Sequence, residues 1–243
     1  MKQYLGKITY DGSKFYGWAI QPIVRTVMGD LLLASKNYFE DNNCKIIGAG
    51  RTDRYVHALE QQFTIKTNSL KSVDEFLDYL NMLPDLEVLS LEEVKLNFNI
   101  RYAKSNKIYQ YIVHLQSSNN YINSRVDYEY NYSYPLDFKK LEKATLLLNG
   151  THDFLSFTAR EEYKKTTRTV KIVLKREADL LIFTVSGPGF MRFMVRNIVG
   201  VLLAHNRGIL DTDDLKYLLE HPKKGGAQYK APGCGLYLIK IEY

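Results

Sequence analysis

The order of strand and helix patterns is the feature that most limits the fold of this 243-residue chain. Segments in which every second residue is apolar predict strands, and apolar residues three and four positions apart predict helices. The predicted strands occur singly and in pairs between the helices, without the regular strand–helix–strand repeat of a parallel sheet. The chain is therefore predicted to adopt an α+β fold with mainly antiparallel strands.

The first hundred residues contain four predicted strands and two predicted helices. The strands are Tyr4–Tyr10, Cys44–Ala49, Gln62–Thr67 and Leu86–Val94, and the helices run from Thr26 to Phe39 and from Ser72 to before Pro84. Thr26 and Ser72 immediately precede the apolar spacing, as N-cap residues do. The first helix is expected to bury one face, which comprises Val27, Leu31, Ala34 and Tyr38.

The rest of the chain repeats this mixture without a clear sequence repeat. Strands are predicted at Lys107–Leu115, Arg168–Lys175, Leu180–Ser186 and Leu236–Tyr243, and helices at Asp137–Leu148, Phe190–Ala204 and Asp213–Leu219. Arg192 and Arg196 are four residues apart and are expected on one helix face. We predict two fused lobes, residues 1–100 and 101–243, which share a sheet and have a cleft between them.

Composition favours a polyanionic partner without proving one. The net charge is +6, and residues 160–176 contain seven basic side chains against two glutamates. A solvated hairpin rim would explain this basic run, but further basic side chains favour a groove for a phosphate backbone. These are Arg101, Lys104, Lys107, Arg192 and Arg196. The tyrosines between Tyr121 and Tyr134 suit base stacking, but their alternation is also typical of an edge strand.

The sequence lacks the features typical of membrane-spanning, secreted, disulfide-linked and metal-binding proteins. No apolar run is long enough to span a membrane, and the first residues lack a signal-peptide core. Cys44 and Cys234 have neither disulfide nor metal-site spacing. A cytoplasmic protein without a membrane partner is the expectation.

The segment Gly48–Ala58 (GAGRTDRYVHA) carries the strongest chemical signal. Arg51 and Asp53 are two residues apart in a segment expected to be extended, so their side chains should point to the same side. A guanidinium beside a carboxylate keeps the carboxylate ionised, and an ionised Asp can act as a nucleophile in a closed site. Taken alone, a glycine turn with a capping Asp explains the segment equally well.

Six blocks together make the chain resemble the tRNA pseudouridine synthase A family over almost its whole length. They are YDGSKFYGW at 10–18, GAGRTDRYVHA at 48–58, FNIRYAKSNKIYQY at 98–111, GTHDFLSF at 150–157, GFMRFMVRNIVG at 189–200 and APGCGLYL at 231–238. The resemblance implies two ferredoxin-like (RRM-like) lobes, a homodimer and no metal or organic cofactor. It also implies an isomerase that converts uridine to pseudouridine in the tRNA anticodon arm, at positions 38, 39 and 40.

By matching position, the resemblance assigns three catalytic residues. Asp53 is the nucleophile, Arg196 forms an ion pair with it, and Tyr109 stacks on the target base and can move a proton. Arg51, Arg54, Lys107 and Arg192 are expected to contact the substrate with Tyr109. Attack on the sugar and removal of a ribose proton both stay open as the role of Asp53. His57 is interpreted as a hydrogen-bonding strut, because the other histidines lack ligand spacing.

The chain departs from the family pattern directly after the catalytic aspartate. Arg54-Tyr55 stands where the family usually has Ala-Gly. If that glycine position needs a positive φ, a tyrosine there costs stability or shifts the loop; alternatively, the two large side chains contact RNA. The departure also leaves an alternative function open, namely a tRNA-binding or chaperone protein of the same fold with impaired catalysis.

Overall fold

The computed structural model describes residues 1–115, 125–158 and 165–243. It divides into two compact units. The N-terminal unit comprises Met1–Ser105 together with the last strand residues, Tyr237–Tyr243. The C-terminal unit is drawn from Asn106–Leu236. Each unit combines helices with mainly antiparallel strands, which confirms the predicted α+β class.

The described residues form ten strands and five α-helices. The strands are β1 Lys2–Tyr10, β2 Lys45–Gly48, β3 His57–Thr67, β4 Leu86–Glu93, β5 Asn106–Leu115, β6 Tyr130–Tyr132, β7 Gly150–Asp153, β8 Thr167–Glu177, β9 Leu180–Gly187 and β10 Leu236–Glu242. The helices are α1 Val27–Phe39, α2 Val73–Leu80, α3 Phe138–Leu148, α4 Met194–Asn206 and α5 Thr212–Glu220.

In the N-terminal unit, β1 lies between β3 and β4 and is antiparallel to both. Strand β2 is antiparallel to β3, and Tyr237 of β10 pairs in parallel with His57 of β3. The predicted caps are confirmed, since the Thr26 hydroxyl accepts from the Gly29 amide (3.2 Å) and the Ser72 hydroxyl from the Glu75 amide (3.4 Å).

Helix α1 buries three of its four predicted face residues. Val27, Leu31 and Ala34 are buried as expected, whereas Tyr38 is half-buried and Phe39 is buried. The Tyr38 hydroxyl donates to the Ser72 carbonyl at 2.9 Å. A phenol can bury its ring and keep its hydroxyl at the surface, which explains this partial exposure.

In the C-terminal unit, β5 is antiparallel to β9, β9 to β8, and β8 to β7. Tyr109, Tyr111 and Val113 of β5 are buried while their neighbours are half-exposed, which is the pattern of a strand with one buried face and confirms the strand predicted here. Strand β6 pairs in parallel with β5 and confirms that the tyrosine run contains a strand; Tyr121 lies outside the described residues.

Helix α4 begins four residues later than predicted. Phe193 has a φ of +66°, in the left-handed region, and Met194 is the first helical residue. Arg192 therefore precedes the helix, and the predicted helix face shared by Arg192 and Arg196 is wrong. Apolar spacing alone does not report where the backbone turns. Every residue of α4 is buried except Arg196, which is half-buried.

The predicted basic run follows β8 and the segment before it. Lys171, Lys175 and Arg176 are exposed on this strand, and Arg168 is half-buried. Arg160 and Lys164, which belong to the same predicted run, lie outside the described residues. In the described ranges, no helix is long and apolar enough to cross a membrane.

Candidate active site

The loop that carries Asp53 is held by the first sequence block, YDGSKFYGW. The hydroxyls of Tyr10 and Thr52 are hydrogen-bonded at 2.8 Å in a buried position. The Trp18 amide donates to the Thr52 carbonyl at 3.1 Å. Thr52 is therefore fixed through both its side chain and its backbone, immediately before Asp53.

Gly17 lets the two blocks approach at the aspartate itself. It has a φ of +93°, and a Cβ atom there would lie 2.7 Å from the Thr52 oxygen and 3.1 Å from the Asp53 carbonyl carbon. The Asp53 carbonyl accepts from the Val56 amide at 3.2 Å, which closes a turn. The half-buried Asp53 side chain thus projects from a backbone that is restrained on both sides.

His57 is a structural strut, as predicted. Its buried ring accepts a hydrogen bond at Nδ1 from the Gly12 amide at 3.1 Å and stacks on Tyr237 with 4.6 Å between ring centroids. The Nδ1 lone pair is therefore already in use. Among the described residues, no group of three or more His, Cys, Asp or Glu side chains is arranged to hold a metal ion.

Tyr55, at the position where the resemblance implies a glycine, has a left-handed backbone conformation with a φ of +66°. This confirms that the position needs a positive φ and that tyrosine is strained there. The Arg54 guanidinium lies over the rings of both Tyr16 (4.0 Å) and Tyr55 (4.5 Å). It also donates to the Tyr55 hydroxyl at 2.7 Å. Arg51, Arg54 and Tyr55 are all exposed.

The backbone strain at position 55 can be measured by comparing Tyr55→Gly with Tyr55→Ala. Both substitutions remove the ring, but only alanine keeps a Cβ atom in the left-handed region. We expect the glycine variant to have the higher free energy of unfolding, by about 1 kcal/mol, in urea denaturation.

The matched control is Leu70, an exposed loop residue that is not among the positive-φ positions. There, alanine should be the more stable replacement, because glycine adds entropy to the unfolded chain. The same order at both positions would contradict the assigned strain.

Lys107 and Tyr109 lie on β5 in the C-terminal unit, opposite Gly187 and Val185 of β9. The Tyr109 ring is buried and meets Phe190 edge-to-face at 5.4 Å. Lys107 is half-buried, and this burial lowers the pKa of its ammonium group below the ordinary value. A lysine in this state gains from an anion beside it, because the anion stabilises the charged form.

Arg196 is fixed in the first turn of α4 by the block APGCGLYL. Its Nε donates to the Ala231 carbonyl at 2.8 Å, and the Ala231 amide donates back to the Arg196 carbonyl at 3.0 Å. This reciprocal pair restrains both the backbone and the side chain of the arginine. A guanidinium held in a fixed position is suited to a carboxylate or a phosphate group, because its N–H donors match their oxygens.

Three cations of the C-terminal unit lie around the ring of Phe193. Arg192, Arg196 and Lys230 lie 4.5, 5.8 and 4.3 Å from its ring centroid. Arg192 is exposed, and its carbonyl accepts from the Thr158 hydroxyl at 3.1 Å. The quadrupole of an aromatic ring attracts a cation that lies over its face. Sequence reasoning missed Phe193 and Lys230, since neither has a chemically reactive side chain in a distinctive spacing.

The remaining blocks support α4 rather than supplying chemistry. Asn197 donates from Nδ2 to the Phe157 carbonyl at 2.7 Å, which joins the block at 150–157 to the helix. The Tyr111 hydroxyl donates to the Pro232 carbonyl at 2.9 Å, which joins β5 to the block at 231–238. Burial raises the pKa of Tyr111 and of the Cys234 thiol, so both stay protonated at neutral pH.

Gly200 allows the Arg196 anchor to form. A Cβ atom there would overlap the Tyr229 carbonyl and lie 2.9 Å from the Ala231 amide nitrogen. Because the obstacle is backbone, Gly200→Ala must push residues 229–231 away from α4. We expect it to lower the free energy of unfolding by about 1–3 kcal/mol, as overpacking does, in thermal or urea denaturation.

The matched comparison uses Leu146, an exposed position inside α3. There, alanine should be more stable than glycine by about 1 kcal/mol, as in an ordinary helix interior. A stabilising Gly200→Ala would show that the contact with residues 229–231 is loose.

The structure thus places the predicted site residues in two groups, one in each unit. Arg51, Asp53 and Arg54 share the loop before β3. In the C-terminal unit, Tyr109 contacts Phe190, which is two residues from Arg192 in the segment that leads into α4.

Comparison with known proteins matches the sequence to one family. A family model described as "tRNA pseudouridine synthase" matches residues 144–243. A "tRNA pseudouridine synthase A" of Ureaplasma parvum serovar 3 is 37% identical over 99% of both chains. The Mycoplasma genitalium protein of that name is 35% identical over 100% of this chain and 99% of its own. The Halalkalibacterium halodurans protein is 38% identical over 97% and 90%.

Proposed function

Because this chain belongs to the tRNA pseudouridine synthase A family, we propose that it isomerises uridine to pseudouridine at positions 38, 39 and 40 of the tRNA anticodon stem-loop. The observation that carries the proposal is the match to these synthases along nearly the whole of both chains. The enzyme is an intramolecular transferase, since the base leaves and rejoins the same sugar. Nothing observed favours the alternative of a tRNA-binding protein that has lost catalysis.

The reaction needs few chemical groups. The bond between uracil N1 and ribose C1′ breaks, the base turns, and a new bond joins C5 to C1′. The C5 proton then leaves and N1 gains a proton, so atoms balance without an oxidant or added water. A carboxylate, an acid–base group and a closed pocket can supply this chemistry, and no cofactor is part of the proposal.

Asp53 is the residue that we assign to the reaction at the sugar. Its backbone is restrained by Gly17, Thr52 and Val56, so little ordering remains to be done when substrate binds. Arg196 is assigned as its ionic partner, and its anchoring by Ala231 supports this role, because a fixed cation stabilises an ionised carboxylate without reorganisation.

Tyr109 is assigned to the target base. Turning a base out of its stack costs a few kcal/mol, roughly, and an aromatic face returns about 1–3 kcal/mol of this. Its contact with Phe190 supports the role, because it fixes the ring plane. Arg51, Arg54, Lys107 and Arg192 are assigned to substrate binding as cations for phosphate groups. A cytoplasmic homodimer completes the proposal.

The catalytic assignment is tested by Asp53→Asn, which keeps the shape of the side chain but removes its charge. We expect the rate of pseudouridine formation in an anticodon stem-loop to fall by about 10³-fold or more, measured by tritium release from 5-³H-uridine RNA. Asp78→Asn, at an exposed position of α2, is the matched control and should keep the wild-type rate. An active Asp53→Asn enzyme would overturn the assignment.

Lys107 gives the proposed RNA interface a pH dependence. Since its pKa lies below the ordinary lysine value of about 10.4, its charge is lost at lower pH than that of a surface lysine. We expect tRNA affinity to fall on raising the pH, and to fall less in Lys107→Arg, because arginine stays protonated. Fluorescence anisotropy from pH 7 upward measures this difference.

The control for this experiment is Lys139→Arg, at an exposed position of α3. It should leave the pH profile of the wild type unchanged. If the tRNA affinity of Lys107→Arg and of the wild type depends on pH in the same way, Lys107 does not contact the RNA.

A further inference from the structure

We propose that Tyr16, Arg54 and Tyr55 form a binding site for one unpaired nucleotide of the RNA, adjacent to the target uridine. We call these three residues the Tyr–Arg–Tyr stack. The inference rests on the proposed function, which supplies the RNA, and adds a base-binding site beside the target uridine.

The geometry is that of a stacking platform. The Arg54 guanidinium lies 4.0 Å from the Tyr16 ring centroid and 4.5 Å from that of Tyr55. Its hydrogen bond to the Tyr55 hydroxyl (2.7 Å) fixes the guanidinium relative to that ring. Planar guanidinium and phenol groups are the surfaces on which proteins stack unpaired bases.

The stack is ordered before any ligand binds. The Tyr16 amide donates to the Arg25 carbonyl at 2.9 Å, and the Tyr16 carbonyl accepts from Gln21 Nε2 at 2.7 Å. Gly17 then seats the loop against the Thr52–Asp53 backbone. Tyr55 is confined by its left-handed backbone. A preordered site loses little entropy on binding, which raises its affinity.

Exposure and charge both suit a nucleotide. Tyr16 and Tyr55 are 41% and 36% exposed, although each has a large apolar ring that the core could have buried. The ring and hydroxyl partners of Arg54 are uncharged, so they do not neutralise its positive charge. The rings offer stacking surface for a base, and the guanidinium offers charge for its phosphate.

The position in the chain selects the nucleotide. Arg54 and Tyr55 directly follow Asp53, so a base on the stack belongs to a nucleotide close to the one at the aspartate. Turning the target base out of its stack also removes the stacking partner of its neighbour. The Tyr–Arg–Tyr stack replaces that lost partner with protein surface.

Strain at Tyr55 supports a functional reason for the side chain. A non-glycine residue in the left-handed region is unfavourable, and such residues concentrate at ligand-binding and active sites. Without a ligand, the Tyr55 ring would offset little of this strain, because its cation–π contact with Arg54 is at the surface and contributes little stabilisation.

The test combines protein variants with RNAs that lack single bases. Binding is measured by fluorescence anisotropy in the Asp53→Asn background, so that the RNA is not modified, with a stem-loop of the anticodon arm. Tyr55→Gly relieves the backbone and removes one ring, and Tyr16→Ala removes the other. We expect each to raise the Kd by about 5- to 150-fold, the range for loss of one stacked base.

The same measurement with an abasic residue at each loop position identifies the bound base. If the missing base is the one that binds the stack, the abasic RNA should bind about as weakly to the parent protein as the complete RNA binds to the variants. Adding Tyr16→Ala should then raise the Kd by less than a further twofold. At every other position the two effects should multiply. A merely structural role for the rings would give multiplication at all positions, and this result would overturn the proposal.

The matched control is the Arg207–Tyr134 pair of the C-terminal unit, an exposed stack with 3.9 Å between the guanidinium and the ring centroid. Arg207→Ala and Arg54→Ala remove the same charge and the same type of contact. Arg207→Ala should change the Kd by less than twofold. An equal effect of both substitutions would mean that Arg54 acts only through nonspecific electrostatic attraction to RNA, which would contradict the proposed site. A melting temperature equal to that of the parent protein shows that a variant is folded.

Failure of the proposed function and failure of the nucleotide site give different results. If the wild-type protein makes no pseudouridine in the stem-loop, the proposed function fails. If it makes pseudouridine and the variants bind RNA as tightly as Asp53→Asn alone does, only the nucleotide site fails.

Discussion

The close approach of Gly17 to the Thr52–Asp53 backbone is the contact on which the position of Asp53 depends. It occurs between two sequence blocks that are 30 residues apart in the chain and is possible because residue 17 has no Cβ atom. The Tyr10–Thr52 hydrogen bond, the Trp18 amide and the His57 strut hold the same loop from other sides. The role that we propose for Asp53, at one atom of a sugar, needs this kind of fixed backbone.

In the C-terminal unit, the cation Arg196 is fixed in position in a similar way. Arg196 is the one residue of α4 that is not buried, and the backbone of Ala231 holds it through two hydrogen bonds. Glycine again allows the approach, here at position 200. In both units, the side chain to which we assign a chemical role projects from a rigid element, and the neighbouring sequence blocks supply the rigidity.

Local signals in the sequence predicted most of the fold. Thr26 and Ser72 cap helices where expected because a cap depends on three or four adjacent residues. The start of α4 depends on the left-handed Phe193, which local spacing does not encode. The tyrosine alternation indicated the strand β6 but not its parallel pairing with β5. The strain at Tyr55 followed from the departure at a glycine position, whereas its partner Tyr16 lies in another block and could not be foreseen.

The central claim is that this chain, with its own side chains alone, isomerises uridine in the anticodon arm. The most direct measurement incubates the purified protein with an unmodified tRNA transcript in buffer without added cofactor and maps pseudouridine by chemical labelling and primer extension. The account predicts pseudouridine at one or more of positions 38, 39 and 40, with many turnovers per enzyme. Pseudouridine confined to other positions, or its absence from every tRNA tested, would contradict the account.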